Sequence, residues 1–532
     1  MTLSILIWLP LVFAVLGAIW GGAAPKVAPR LALVGSLATL AIAISFVVRY
    51  KTGGGMQFVT DRSWISTLGI SYSLGLDGLN VVLVLLTTVL FAGATLAANL
   101  REWDRPGQFF LWLGAGETAV LGAFCAQDLI LFVAFFDLML IPFYFLTGIW
   151  GAGDRDQRVR GTMKLVIYTL VGSLLMLVAA VATGVLTAQQ HNTDLTFSLA
   201  ALARLPLSTG SQEWIFLCFA AAFLVKMPAF PVHGWLPDGY RTMPLPALAA
   251  FSGVVSKVAA YGFLRIVLPV FPDASVHFQE LLLLIAVASI LYGSAMAFST
   301  TNARLVIGFS SVAQMGFITL GIFALNQDGV QGALLQMVNH GLVTLPLFFI
   351  VGLLAARAGG SEDLRDMGGI AFRAPVLASL FLIVGLATLA MPGSANFVGE
   401  FLILLGVFRA KVVFAFVAAV GVVMASVYVL RAFIRAMHNR VGPSVESREV
   451  TFGDLAVLAP LVLAILALAL YPQFGLKRSE PAAKASVAAV STLPDQVADA
   501  TAAASESRVT YVVSRVTRSR VVRRTTYAKD TP

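Results

Sequence analysis

Five ionisable residues stand inside long apolar runs of this chain: Glu117, Asp137, Lys226, Lys257 and Glu400. A charge in mid-bilayer costs about 2.5–3.5 kcal/mol on insertion scales, so such groups face a bundle interior or an aqueous path. Groups that gain and lose protons there can carry protons. The alternatives are an ion pair that locks helices together and a lysine that snorkels to the interface. For one residue the two readings weigh about evenly. Five together, with Lys226 and Lys257 not easily able to snorkel from the spans they occupy, favour a functional role.

Lys226 is followed by Pro228 and Pro231, and Glu400 is preceded by Pro392 and Gly393. Both ions therefore sit beside a helix interruption. In transporters, interrupted helices at corresponding places of inverted repeats bind ions near the midplane; the plainer reading is a packing kink. The spacing from Lys226 to Glu400, carried on from Lys257, lands on Arg431. Histidine titrates close to neutral pH, and His340, within Val338-Asn339-His340-Gly341, is the one histidine inside a span. Proton relay and polar packing are both open to it, with Gln336 and Asn339 nearby to hold water. His233 lies at a membrane boundary.

Soluble-enzyme chemistry finds no foothold. Gly114-x-Gly116-x-x-Ala119 imitates a nucleotide fingerprint, but it lies within a helix and follows no strand; small-residue helix packing accounts for it. Only Cys125 and Cys218 occur, each in an apolar run, too few for a cysteine-ligated iron–sulfur cluster. Hydrophobic residues make up 58% and charged residues 12%, against about 25% charged in soluble chains. The net charge of +9 comes from loops and the last segment, which argues against nucleic acid.

The elements that must position these residues are membrane helices. Apolar runs at 3–22, 30–49, 79–99, 108–125, 127–149, 162–187, 213–231, 245–270, 278–299, 303–325, 329–355, 374–408, 412–436 and 453–471 predict an all-α polytopic membrane protein of about 14 transmembrane helices. Helices 7 and 12 should be broken, the latter at Met391-Pro392-Gly393. Spans 4–8 (108–270) and 9–13 (278–436) form two five-helix repeats, and an odd number of spans enters the second copy inverted. Residues 1–107 hold spans 1–3, and 453–471 is span 14. The basic tail 472–532 reads as flexible, with a linker around Ala482–Ser507. An extracytoplasmic N-terminus places seventeen basic residues in inside loops against seven outside, which puts both termini outside.

The motifs resemble those of the antiporter-like membrane subunits of bacterial NADH-quinone oxidoreductase (respiratory complex I), and among them the M-type chains. Phe135-Phe136-Asp137-Leu138-Met139-Leu140-Ile141-Pro142 is similar to the fifth-helix motif. The stretch from Phe223-Leu224-Val225-Lys226-Met227-Pro228 through His233-Gly234-Trp235-Leu236-Pro237-Asp238 resembles the seventh-helix signature. Lys257 with Ala260-Tyr261-Gly262-Phe263-Leu264-Arg265 looks like the eighth-helix lysine, and Met391-Pro392-Gly393 through Gly399-Glu400-Phe401 like the twelfth-helix site. Glu400 favours the M type, since related chains commonly carry Lys there. The chain departs from the family with Asp137 in place of Glu, Gln314 in place of a frequent His, and Gly239-Tyr240-Arg241-Thr242-Met243 in place of a His- and Glu-containing loop. Glu117 matches no family motif.

The resemblance implies a proton-translocating membrane-arm subunit in which Asp137 pairs with Lys226 and protons pass through Lys257 and a hydrated path to Glu400, with His340 a further candidate. It implies no cofactor in this chain, with NADH, FMN, iron–sulfur clusters and quinone served by partner subunits. The expected partners are L-, N-, K-, J-, A- and H-type chains in the bacterial inner membrane. An Mrp-type cation/proton antiporter subunit and a membrane subunit of an energy-converting hydrogenase are the competing readings.

Overall fold

Backbone amides in hydrocarbon have no water to bond, so each apolar run closes its hydrogen bonds along a helix. The computed structural model, describing residues 2–21, 26–446 and 448–490, follows that rule. Among the described residues, twelve helices are long and apolar enough to cross a membrane. They are α1 Leu3–Gly21, α2 Val27–Arg49, α3 Val81–Asn99, α4 Pro106–Cys125, α5 Leu129–Trp150, α6 Arg155–His191, α8 Leu245–Val270, α9 Gln279–Ser299, α10 Ala303–Ile322, α11 Gln327–Arg357, α14 Val412–Met437 and α15 Phe452–Leu470. The runs at 213–231 and 374–408, expected as broken spans, fall on helices outside those twelve. Between α6 and α8, α7 (Thr209–Lys226) stops at Lys226. Between α11 and α14, α12 (Pro375–Thr388) and α13 (Ala395–Ala410) flank a break at 389–394 that holds Met391-Pro392-Gly393.

Helix starts are fixed by side chains that accept otherwise orphaned N–H groups. Asp128 accepts from the amides of Ile130 and Leu131 at α5. Asp154 and Gln157 form a reciprocal capping box at α6, and Asn302 and Asn326 cap α10 and α11. Helix α6 is longer than its apolar run suggested. Its 37 residues span about 55 Å at ~1.5 Å per residue, so its polar ends project beyond a core of about 30 Å.

Burial sorts the helices into centre and periphery. The apolar windows of α8, α10 and α11 are entirely enclosed by protein, whereas α1, α2, α6, α14 and α15 turn most of theirs outward. Polar residues within those windows are therefore shielded by protein. The close approach of α8 to α11 depends on paired glycines: a Cβ on Gly341 would stand 2.7 Å from Leu86 Cδ2 and 2.9 Å from the Gly253 carbonyl oxygen.

Two features lie outside the sequence expectations. An antiparallel hairpin, β1 Gln57–Ile65 with β2 Ile70–Leu76, joins α2 to α3. It delivers Asp77 to Arg265 on α8, with a 2.5 Å ion pair. The flexible linker expected from Ala482 is corrected at its start. Residues 473–490 are helical, with Ala483, Val487 and Val490 buried, because their small and β-branched side chains form one apolar face. Residues 491–532, with the basic stretch Arg508 to Lys529, lie outside the described residues. The Gly114 reading agrees with the structure, since its Cα faces Ala14 and the Pro10 carbonyl of α1 with no room for a side chain.

Overpacking of a close-packed interior costs about 1–3 kcal/mol. Gly341→Val should therefore lower the melting temperature of the detergent-solubilised assembly. Gly385→Ala, where a Cβ meets only Val429 Cγ1 at 3.4 Å, should leave it unchanged.

Candidate functional site

Lys226 is the last residue of α7, where unpaired carbonyls give the helix end a partial negative charge that suits a cation. Its Nζ donates to the Phe136 carbonyl at 3.3 Å and sits 4.4 Å from the centroid of the Phe136 ring. Trp235, from the segment after the break, donates its Nε1 to the Val225 carbonyl at 3.0 Å and so holds the broken end in place. Asp137, next to Phe136, is partly buried and within electrostatic range of Lys226. The two do not form an ion pair within 4.0 Å, and Asp137 Oδ1 has no hydrogen-bond partner among the described residues.

Lys257 lies wholly enclosed on α8 between two π-turns, 251–255 and 263–267. A π-turn shifts the helical bonding pattern and commonly marks a functional position. Lys257 Nζ donates to the Ser252 carbonyl of the first turn at 2.8 Å. His340 of α11 is within electrostatic range of Lys257, across the Gly253–Gly341 contact.

Glu400 is the sixth residue of α13, beyond the first turn where a helix dipole acts strongly. Its stabilisation comes instead from amides. Gln314 Nε2 donates to Oε1 at 2.8 Å and Gln336 Nε2 at 3.3 Å, while Gln336 also donates to Gln314 Oε1 at 2.6 Å. Gly399 permits this, because a Cβ there would stand 2.5 Å from Gln336 Oε1. Asn339 bonds the Ala395 carbonyl at 2.6 Å, tying α11 to the start of α13.

Helix α11 thus connects the two ends of the site. Gln336, Asn339 and His340, at helical spacings of three and four, share one face; Gln336 touches Glu400, and His340 is within electrostatic range of Lys257. Buried polar atoms collect along this face. Gln336 Oε1, Asn339 Oδ1, His340 Nδ1, Ser394 Oγ and both amide atoms of Asn396 lack a protein partner among the described residues. A dry site would cost about 1–3 kcal/mol for each, and ordered water is the usual remedy.

The structure therefore brings Asp137 toward Lys226, and Lys257 toward His340, and it surrounds Glu400 with amides. Arg431 does not join the row: it sits 5.0 Å from the Phe298 ring and is partly exposed. Glu117 lies elsewhere, against Ser36 of α2. The Gln314–Gln336–Glu400 cluster was missed as a unit, since neutral amides on three helices carry no spacing signal.

Residues 126–426 match the model of the family described as NADH:quinone oxidoreductase/Mrp antiporter, transmembrane. The chain belongs to this family. It is 36% identical over 487 residues to the NADH-quinone oxidoreductase subunit M of Rhodobacter capsulatus, covering 88% of this chain and 93% of that protein. To the subunit M of Escherichia coli (strain K12) it is 38% identical over 424 residues, with 78% and 82% covered. Among solved structures, a chain of respiratory complex I from Thermus thermophilus with bound NADH superposes with a TM-score of 0.83 at 29% identity, covering 92% of this chain and all of that one. A chain of the Mrp complex from Dietzia sp. DQ12-45-1b gives 0.77 at 21% identity, which speaks to the fold alone.

Gln336→Leu removes two buried hydrogen bonds and leaves Gln314 Oε1 without a partner. At about 1–3 kcal/mol for each group stranded, this substitution should lower the thermal stability of the assembly. Gln336→Glu, which keeps the shape but places a second carboxyl at Glu400, should be tolerated at low pH and destabilising at high pH.

Proposed function

We propose that this chain is the proton-translocating membrane-arm subunit of a respiratory NADH-quinone oxidoreductase. The observation that carries the reading is the set of buried groups Lys226, Lys257, His340 and Glu400, the last three linked along α11 by polar atoms that need water. The family relationship supplies the setting. NADH, FMN, iron–sulfur clusters and quinone are served by partner subunits of L-, N-, K-, J-, A- and H-type, and this chain holds no redox centre. It crosses the bacterial inner membrane fourteen times, with both termini outside. Its spans 4–8 and 9–13 are inverted repeats, each contributing one broken helix.

The chemistry follows from the geometry. A buried lysine holds its proton more firmly when a carboxylate approaches and less firmly when it withdraws. Asp137 and Lys226 are close enough to couple but not locked in contact, which leaves room for that movement. Lys257 and His340 pass the proton onward, and Glu400 receives it. Moving one charge against 100 mV costs about 2.3 kcal/mol, comparable to making or breaking one buried charged contact. The driving energy is quinone reduction in the partner subunits.

The test is NADH-driven proton uptake in inverted membrane vesicles. Lys226→Ala and Glu400→Gln should each assemble and reduce proton movement severalfold, and Asp137→Glu, with longer reach to Lys226, should retain it. Unchanged proton movement in both neutral variants would overturn the reading. Na⁺-dependent transport without NADH or quinone would identify an Mrp-type antiporter instead.

A further inference from the structure

One buried carboxyl stands apart from that row. Glu117 is fully enclosed on α4, about 16 Å along the helix from Pro106 at ~1.5 Å per residue. Its Oε2 accepts a 3.1 Å hydrogen bond from Ser36 Oγ of α2, and Ser36 Oγ lies 3.3 Å from Thr95 Oγ1 of α3. Oε1 has no partner among the described residues. One turn further along α3, Asn99 Nδ2 donates to the Thr95 carbonyl at 2.9 Å. Asn99 is half-buried, and Leu100 and Arg101 beyond it are exposed. Thr95 is itself buried, and its carbonyl is tied to the partly exposed Asn99, so the carboxyl and the Ser36–Thr95 hydroxyl pair lie one helical turn inside the end of α3 that meets the loop 100–105.

What this carboxyl lacks is a cation. Among the described residues no Lys, Arg or His lies within 4.0 Å of it. An ion taken out of water costs several kcal/mol even after relaxation. One hydroxyl bond to a charged acceptor returns about 1.5–3 kcal/mol, which does not cover that cost. With a proton the group is neutral, and it gains an O–H donor as well. A static packing role would be served by an amide or an apolar side chain and would need no Ser36–Thr95 hydroxyl pair beside it.

We propose that Glu117 is a further proton-binding site, a carboxylic acid that exchanges its proton with water from the loop 100–105 side through the Thr95–Ser36 hydroxyl pair. In each exchange Ser36 Oγ gives its proton to the carboxylate and takes one from Thr95 Oγ1, which is replenished from water, so both hydroxyls end as they began. Release runs the same steps backward. The site is independent of the Asp137 to Glu400 row.

The test is infrared spectroscopy of the intact assembly, as the difference between wild type and Glu117→Gln in H₂O and in D₂O. We expect a carboxylic-acid C=O band that is present in wild type, absent in the variant and shifted by D₂O, with the shift slowed in Thr95→Val. Absence of any acid band lost on substitution would overturn the proposal, as would a band that D₂O never shifts. If Glu117→Gln fails to assemble, Ser36→Ala decides. It keeps the acid but removes its hydroxyl donor, so the band should move to higher frequency, and an unmoved band refutes the site. None of these readouts depends on proton pumping, so their failure is distinct from failure of the proposed function.

Discussion

An ionisable side chain in a membrane must be enclosed by protein and given polar partners, and most of the particular features of this fold answer that requirement. Lys226 is placed at the broken end of α7, whose carbonyls favour it, and beneath the Phe136 ring and carbonyl. Lys257 bonds a carbonyl within a π-turn. Glu400, too far inside α13 to gain much from its dipole, takes two glutamine amides instead. The three solutions differ because each ion meets a different part of a helix.

Enclosure also explains the layering. Helices α8, α10 and α11 carry Lys257, Gln314, Gln336 and His340, and these are the helices buried all round. The outer helices α1, α2, α6, α14 and α15 turn most of their surface outward and carry few such groups, while Glu117 sits on α4, whose window is mostly buried. Glycines at 253, 341 and 399 let backbones and amide side chains approach closely enough to form the connecting row. Small residues here serve the same end as the charges.

Much of this was legible beforehand, for a physical reason. Long apolar runs can satisfy their backbones in hydrocarbon only as helices, so the spans announce themselves. Charges such as Lys226, Lys257 and Glu400 stand out because they break those runs, and Pro228 and Pro392 mark the interruptions. The hairpin at 57–76 went unseen because β1 lacks a clean alternation and the alternation of β2 is only seven residues long, and the helix at 473–490 because an Ala/Ser-rich segment reads equally as a linker. Contacts made across the bundle, such as Gln314 and Gln336 on Glu400 or Asp77 on Arg265, leave no trace in linear spacing. The coincidence that pointed to Arg431 shows the converse, since a matching interval placed that residue at the surface.

The central claim is that the buried groups along α8, α11 and α13 exchange protons rather than merely hold helices together. The most direct measurement is the number of protons moved per NADH oxidised in vesicles whose assembly carries Lys257→Met, a substitution that preserves bulk and packing while removing the titratable group. The account predicts a lower ratio with the complex fully assembled. An unchanged ratio would contradict it and leave Lys257 as a structural cation.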